Sequence, residues 1–245
     1  MLDILFPRKC HCCIDVILSN QEICDICCNE IKYVAEWSYC RRCGVPFGFF
    51  SNETDQYSKS EIQREDALCG KCIKDIYSFD KARSIAIYEG NIRDLVISFK
   101  YEGKLNRGYS LLDIIISNFP EDLDEFDCIV PVPLHIAKLR SREYNQSVIL
   151  AQGIAKHMGV QCNLFDLKRI RDTRPQIEIT NETERVRNVK GAFSVTKENR
   201  FKGKSVLLVD DVFTTGSTSD ECSKMLLKSG AYKVQVLTLA RARAM

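Results

Sequence analysis

From residue 82 to the C-terminus, apolar runs of strand length alternate with segments whose apolar positions recur at helical spacing. Ala82–Tyr88 reads as a strand. Gly90 and Asn91 then open a helix that places Ile92, Leu95, Val96 and Phe99 on one face. A second helical stretch runs from about Leu105 to Asn118. Asp127–Val132 is an apolar run closed by Pro131 and Pro133, the pattern of a buried strand. Asn145–Met158 returns to helical spacing, with Val148, Ala151, Ile154, Ala155 and Met158 inward and Gly159 as the stop signal. Ser205–Val209 and Lys233–Leu239 are β-rich runs flanking a helix from Thr218 to Ser229, which Gly230 ends. Strands alternating with helices predict an α/β fold with a doubly wound parallel sheet. On such a sheet, ligands bind beyond the carboxyl ends of the strands.

That pattern does not reach the first 75 residues, where cysteine takes its place. Ten of the chain's 13 cysteines precede residue 73. The shift predicts two units: a cysteine-rich module over 1–75 and an α/β domain over 76–245. Within the module, four Cys-x-x-Cys pairs follow one another, Cys10/Cys13, Cys24/Cys27, Cys40/Cys43 and Cys69/Cys72. Two intervening residues make a turn that points both thiolates at one centre, so each pair supplies half of a tetrahedral Zn²⁺ shell with Zn–S distances of about 2.3 Å. Eight ligands serve two structural ions. Sequential pairing is the default, with interleaving left open, and Cys12, Cys28 and His11 lie close enough in sequence to substitute. The competing readings are disulfides, which reduced cytosolic thiols do not form, and a redox motif, which does not come in four copies.

The module's apolar residues, among them Ile14, Val16, Ile17, Leu18, Trp37 and Tyr39, are too few for a large core, so metal binding is expected to supply its folding energy. Ser51–Asp66 is polar and reads as a flexible insertion. Arg41, Arg42, Lys71 and Lys74 sit beside the knuckles, and Phe47, Phe49 and Phe50 either stack on bases or form the module's own core.

Composition adds limits. The chain has 245 residues, 45% hydrophobic and 28% charged, the balance of a soluble globular protein. No run reaches the roughly 18 apolar residues of a membrane span, and Met1–Arg8 is not followed by a signal-peptide stretch. The expectation is a cytoplasmic protein without membrane insertion. A net charge of +2 excludes a global polyanion-binding surface, although Lys138–Lys190 holds eleven Lys/Arg against six Asp/Glu.

Val206–Thr218 carries the chemistry. An apolar strand delivers Asp210 and Asp211 to the carboxyl edge, where they can accept from sugar hydroxyls or hold a hydrated Mg²⁺. Thr214-Thr215-Gly216-Ser217-Thr218 then opens a helix. Gly216 permits a tight turn, and the successive N–H groups and hydroxyls make a phosphate nest at the helix's positive end. Acids that read a diol beside a phosphate nest suit a ribose 5-phosphate. A plain helix cap explains the hydroxyls but not the two acids in series. A P-loop is excluded because position 198 is Glu where that loop needs glycine.

This segment resembles the phosphoribosyl pyrophosphate (PRPP) motif of type I phosphoribosyltransferases. Pro131-Val132-Pro133-Leu134, Lys138, Arg140, Arg142 and Tyr144-Asn145-Gln146 resemble the ComF/ComFC competence-protein family, as do Arg174-Pro175-Gln176, Arg185–Phe193 and the double zinc-ribbon front end. The resemblance implies that Asp210 and Asp211 hold the ribose hydroxyls and its metal, and that Thr214–Thr218 cradle the 5-phosphate. It assigns Lys138, Arg140 and Arg142 to a pyrophosphate loop, with Asp210, Asp211 and Arg142 as the catalytic set. The family usually has glycine where this chain has Glu143, a departure that bears on turnover. Arg171–Lys190 reads as a mobile loop able to close over the anomeric carbon, with Arg174, Gln176, Arg185 and Asn188 as lid or acceptor contacts. His135 lies in the pyrophosphate loop with no partner carboxylate evident in the sequence. The implied partners are PRPP or another phosphorylated ribose, single-stranded DNA and a competence helicase/translocase. Transfer of phosphoribosyl, PRPP sensing and a DNA-binding adaptor remain the competing functions.

Overall fold

The computed structural model describes residues 8–17, 21–48, 67–174, 179 and 181–242. Leu18, Phe49, Phe50, the Ser51–Asp66 insertion, Pro175 and Gln176 lie outside the described residues.

Two short helices, α1 (Asp25–Asn29) and α2 (Gly70–Ile73), mark the cysteine module. The rest of the chain runs β1 (Lys81–Ile87), α3 (Gly90–Tyr101), α4 (Leu105–Ser117), β2 (Cys128–Pro131), α5 (Ile136–Arg142), α6 (Gln146–Met158), β3 (Gln161–Cys162), β4 (Leu167–Arg169), α7 (Glu182–Val189), β5 (Phe193–Val195), β6 (Ser205–Phe213), α8 (Ser217–Lys228) and β7 (Lys233–Arg241). The main sheet has five strands in the order β1-β7-β6-β2-β3, every neighbouring pair parallel. β4 and β5 form a separate antiparallel pair.

Alternation along the strands explains why helices cover both faces. Leu207, Val209, Leu237 and Leu239 pack with α3, α4 and α6 residues such as Phe99, Ile115 and Leu150. Val206, Leu208, Val234 and Val236 face the other way, onto Phe193, Cys222 and Leu226. Both faces of the central strands are apolar because both are covered. Each fully buried Leu or Val contributes roughly 1.5–3 kcal/mol relative to exposure.

The chain reverses its winding between β2 and β6. From β2, the crossover through α6 leads to β3 on one side, while β6 lies on the other side and leads through α8 to β7. This is the switch point at which open α/β sheets bind ligands.

Three local features differ from the sequence expectation. β6 does not stop at Val209; it runs through Asp210 and Asp211 to Phe213, kept in register by β7 (Asp210 opposite Thr238, Phe213 opposite Arg241). The basic segment after β2 is a helix, α5, rather than an open loop. Part of the expected mobile loop is the helix α7, whose N-cap Asn181 accepts from the Thr183 N–H.

Among the described residues, the cysteine module has no core of its own. Ile17, Ile23, Ile31 and Cys27 share the core of α3 and α4, and Cys40, Cys43 and Cys72 share the core on the opposite face. Backbone contacts join it to β1: Tyr33 bridges Ala86, Lys32 C=O accepts from Ile87 N–H (2.9 Å), and Ala82 N–H donates to Arg42 C=O (2.6 Å). Phe47 packs into the core beneath the second pair of knuckles, so it is a core residue and not an exposed stacking platform.

Candidate functional site

The eight paired cysteines gather into two groups, Cys10/Cys13/Cys24/Cys27 and Cys40/Cys43/Cys69/Cys72, with the sulfurs of each group within 4.8 Å of one another. This is the sequential arrangement, and Cys12, Cys28 and His11 belong to neither group. His11 instead hydrogen-bonds Ser110 (2.6 Å) and faces Glu22 (3.3 Å). The knuckle turns favour the thiolate at one cysteine of each group, while burial pushes the Cys27 and Cys72 thiols up and the neighbouring Cys40 pushes Cys43 up. Burial pushes the Cys10 thiol up, but the N–H groups of Cys24, Cys12 and Cys13 outweigh it and bring it down to about 6. A hydrogen bond from Cys43, acting against burial and helped by the Cys43 and Cys69 N–H groups, brings Cys40 down to about 4. Four thiolates in a tetrahedral group are a structural zinc ligand set.

At the sheet's switch point lies a cavity of about 540 Å³. Its floor is the carboxyl end of β6, where Asp210 and Asp211 reach it side by side. Asp210 accepts from Ser147 Oγ and from the Asp211 N–H, both at 2.9 Å. Burial and the neighbouring Asp211 push the Asp210 carboxyl up to about 7, against the opposing effects of the Asp211 N–H and Lys100. Asp211 is held by Lys100 Nζ at 2.9 Å. Burial disfavours the Lys100 charge, but Asp211, with Asp210 and Tyr88, more than offsets this and holds the Lys100 pKa above the ordinary lysine value.

The turn after β6 forms one wall. Thr214, Gly216 and Thr218 line the cavity, and the N-terminus of the twelve-residue α8 opens there. Thr215 and Ser217 are buried and bond each other's hydroxyls at 2.8 Å beneath the turn. Gly216 has φ +81°, and a Cβ at this position would lie 2.6 Å from Phe213 Cζ. Only glycine meets both constraints. Exposed N–H groups at a helix N-terminus beside hydroxyls bind phosphate.

The opposite wall is basic. Lys138, Arg142, Arg174 and Arg185 line the cavity; Arg140 and Asn188 do not. The reason is helical geometry: Lys138 and Arg142 are four apart on α5 and share a face, while Arg140 points away and is exposed. Asn188 instead donates to Arg174 C=O (2.9 Å), holding the backbone of a residue that does line the site. Lys138 Nζ donates to Thr173 C=O (2.6 Å) and Arg185 Nε to Ile179 C=O (2.7 Å), so the basic side chains are pre-oriented. Gln176 lies outside the described residues. His135 has a carboxylate neighbour after all, Asp172 at 3.7 Å, and caps α5 by accepting from the Ala137 N–H.

Sequence reasoning does not single out Lys100, Ser147, Arg169, Tyr88 or Tyr101, all of which line the cavity. Arg169 stands out because its buried Nε has no hydrogen-bond partner among the described residues. Its guanidinium lies over Phe193 (5.3 Å), and another nitrogen donates to Thr173 Oγ1. Tyr101 carries the Arg142 guanidinium over its ring at 4.7 Å. Glu143 ends α5 in the left-handed conformation (φ +66°) with its side chain exposed to solvent.

Comparison with known proteins gives a consistent assignment over the whole chain. Residues 1–73 match the family described as a double zinc ribbon domain, and residues 144–245 match the phosphoribosyl transferase domain. "Competence protein F" of Haemophilus influenzae is 31% identical over 249 residues, covering 99% of this chain and all (100%) of that protein. "DNA utilization protein YhgH" of Salmonella typhi is 29% identical over 241 residues, covering 96% and 97% of the two chains. "Competence protein ComFC" of Bacillus subtilis is 24% identical, covering 91% and 85%. Among solved structures, an adenine phosphoribosyltransferase from Thermoanaerobacter pseudethanolicus aligns with 58% of this chain and 83% of its own, at 13% identity and a TM-score of 0.36. A glutamine PRPP amidotransferase from B. subtilis aligns with 57% of this chain and 26% of its own, at 24% identity and a TM-score of 0.34.

Proposed function

The chain belongs to the competence protein F/ComFC family, and from that premise we propose that its cleft binds PRPP with Mg²⁺ in the service of DNA uptake. The observation that carries this reading is the convergence on one cavity of Asp210 and Asp211, the Gly216 turn and the face formed by Lys138 and Arg142. A sugar bearing phosphates at opposite ends needs these three elements. The 5-phosphate takes the α8 N-terminus. The ribose hydroxyls and a hard divalent cation take the acids, since Mg²⁺ prefers carboxylate and phosphate oxygens. The diphosphate takes the cations, with Arg142 offering a planar fork that matches its oxygens.

Arg169 strengthens the reading. A buried guanidinium with an unsatisfied nitrogen is costly unless an anion completes it. Transfer of phosphoribosyl to an acceptor would draw on positioning and on stabilisation of the departing diphosphate by these cations. The exposed Glu143 does not oppose that charge. The DNA-uptake role rests on the named relatives, and the DNA-facing partners consistent with it are single-stranded DNA and a competence helicase/translocase in the cytoplasm.

Calorimetry with Mg²⁺·PRPP tests the reading. Wild type is expected to bind, and the double variant Asp210→Asn/Asp211→Asn to lose at least tenfold in affinity while retaining its zinc. Equal affinity in the two proteins rejects the assignment. Release of pyrophosphate in the presence of candidate acceptors distinguishes turnover from PRPP sensing, and a salt-dependent affinity for single-stranded oligonucleotide reports the adaptor function.

A further inference from the structure

None of the cysteines of the second group lines the cavity, yet a continuous set of contacts joins the group to the turn after β6. Arg241 ends β7 and is only 4% exposed. Its Nη1 donates to Cys43 C=O at 2.7 Å, and Nη2 lies 3.7 Å from Cys43 Sγ. Among the described residues no carboxylate forms an ion pair with it. A zinc ion held by four thiolates carries a net negative charge, the counter-charge that a buried guanidinium requires. The same guanidinium lies over the Phe213 ring, 4.3 Å from its centre.

Phe213 is the residue on which Gly216 closes. Tyr77, five residues after Cys72, completes the support. It stacks on Phe79 (4.7 Å), meets Phe213 edge-on (6.4 Å), and its hydroxyl donates to Thr215 C=O at 2.8 Å. The next residue, Ser78, donates its N–H to Asp220 Oδ1 (2.7 Å) in the first turn of α8. The fold of the segment after Cys72 depends on the knuckle before it: Arg42, between Cys40 and Cys43, donates to the carbonyls of Tyr77 and Phe79. The first cysteine group has different neighbours; it packs with α3 and α4, where Asn91 donates to Cys27 C=O (3.1 Å).

We propose that zinc in the Cys40/Cys43/Cys69/Cys72 group is the buttress of the phosphate-binding turn, acting through Arg241 and Tyr77 as positioning residues. The zinc ribbon and the cleft are then one device. Loss of this ion unseats Arg241, frees Phe213 and Tyr77, and lets the Gly216 turn collapse or splay. Loss of the first ion leaves the turn in place. The proposal rests on the reading of that turn as a phosphate site, but its structural half stands apart from the ligand.

The test compares Cys69→Ser with Cys13→Ser in otherwise intact, zinc-loaded protein. Zinc per chain, amide hydrogen exchange over residues 213–221 and Mg²⁺·PRPP affinity are measured for each. Both variants are expected to lose one zinc. Cys69→Ser should speed exchange over 213–221 at least tenfold and weaken PRPP at least tenfold, whereas Cys13→Ser should change both less than threefold. Unchanged exchange in Cys69→Ser, or equal changes in the two variants, overturns the proposal. Tyr77→Phe covers the case in which Cys69→Ser does not fold: it retains both zincs and should speed exchange over 213–221 severalfold, and unaltered protection there overturns the proposal equally. If wild type shows no PRPP affinity, the ligand reading fails while the exchange measurement still decides the buttress.

Discussion

Lys100 Nζ lies 2.9 Å from Asp211 Oδ2, and both side chains are largely shielded from solvent on the cavity floor. The pair places a protein cation where a sugar phosphate's metal ion would bind. On the proposed reading Mg²⁺ would have to share or displace Lys100, because the acid pair is partly neutralised by it.

Replacing Lys100 with Met leaves Asp211 without its ion-pair partner beside a second acid. Breaking a buried pair on one side typically costs about 3–5 kcal/mol, and partial exposure here brings the expectation to roughly half of that. The melting temperature of Lys100→Met should fall in metal-free buffer. Millimolar Mg²⁺ should restore more of it than it adds to wild type, because the freed carboxylates become the better metal site. A melting temperature equally insensitive to Mg²⁺ in both proteins would show that the metal does not use Asp211.

Glu143 offers a test without a catalytic residue. Its left-handed backbone costs a residue with a Cβ about 1–2 kcal/mol, and glycine adopts it freely but gains entropy when unfolded. Glu143→Gly should therefore stabilise the protein by about 0.5–1 kcal/mol, read by denaturant unfolding. Because the side chain is exposed, PRPP affinity should stay within about twofold. A tenfold tighter complex would mean that the carboxylate faces the diphosphate.

The α5 face predicts a contrast between two arginines only two residues apart. Arg142→Ala removes a side chain that lines the cavity and rests on Tyr101, hydrogen-bonding its hydroxyl at 3.1 Å. A charge-assisted contact of about 1.5–3 kcal/mol corresponds to at least a tenfold loss of PRPP affinity. Arg140→Ala should stay within about twofold. Equal losses would place residues 136–142 in an open loop when ligand is bound.

How much of this was legible in the sequence follows from whether the signal is local. The strands and helices of the sheet come from contiguous periodicity, and the Asp210–Thr218 segment is one uninterrupted stretch whose acids, glycine turn and two threonines line one cavity. The cysteine spacing is equally local, but it leaves interleaving open, and the sequential grouping is a fact of the fold. Alternation at Lys138, Arg140 and Arg142 misleads because α5 is helical and turns the middle residue outward. The Asn181-x-x-Glu184 spacing is a helix-start signal inside the segment read as a mobile loop. Lys100 has a faint signal of its own, as it continues the row of Ile92 and Val96 on the buried side of α3. Arg241 and Tyr77 have none. Their roles depend on β7 ending beside Cys43 and on the segment after Cys72 passing under the turn, which are facts of topology.

The pH dependence of stability separates the two acids. Asp210 is held up at about 7 by burial and by Asp211, whereas an unfolded aspartate titrates near 3.9. Between roughly pH 4 and 7 the folded protein therefore keeps a proton that the unfolded chain has released, so stability falls as pH rises through that window. The penalty is absent below it and fully present above it. Asp210→Asn removes the titration while its side-chain oxygen can still accept from Ser147 and the Asp211 N–H. In metal-free buffer the variant should melt above wild type at pH 8, by an amount on the order of a few kcal/mol at most, with a smaller gap at pH 5. A gap that grows towards acid would mean that Asp210 is stabilised as the carboxylate, with Lys100 serving it rather than Asp211.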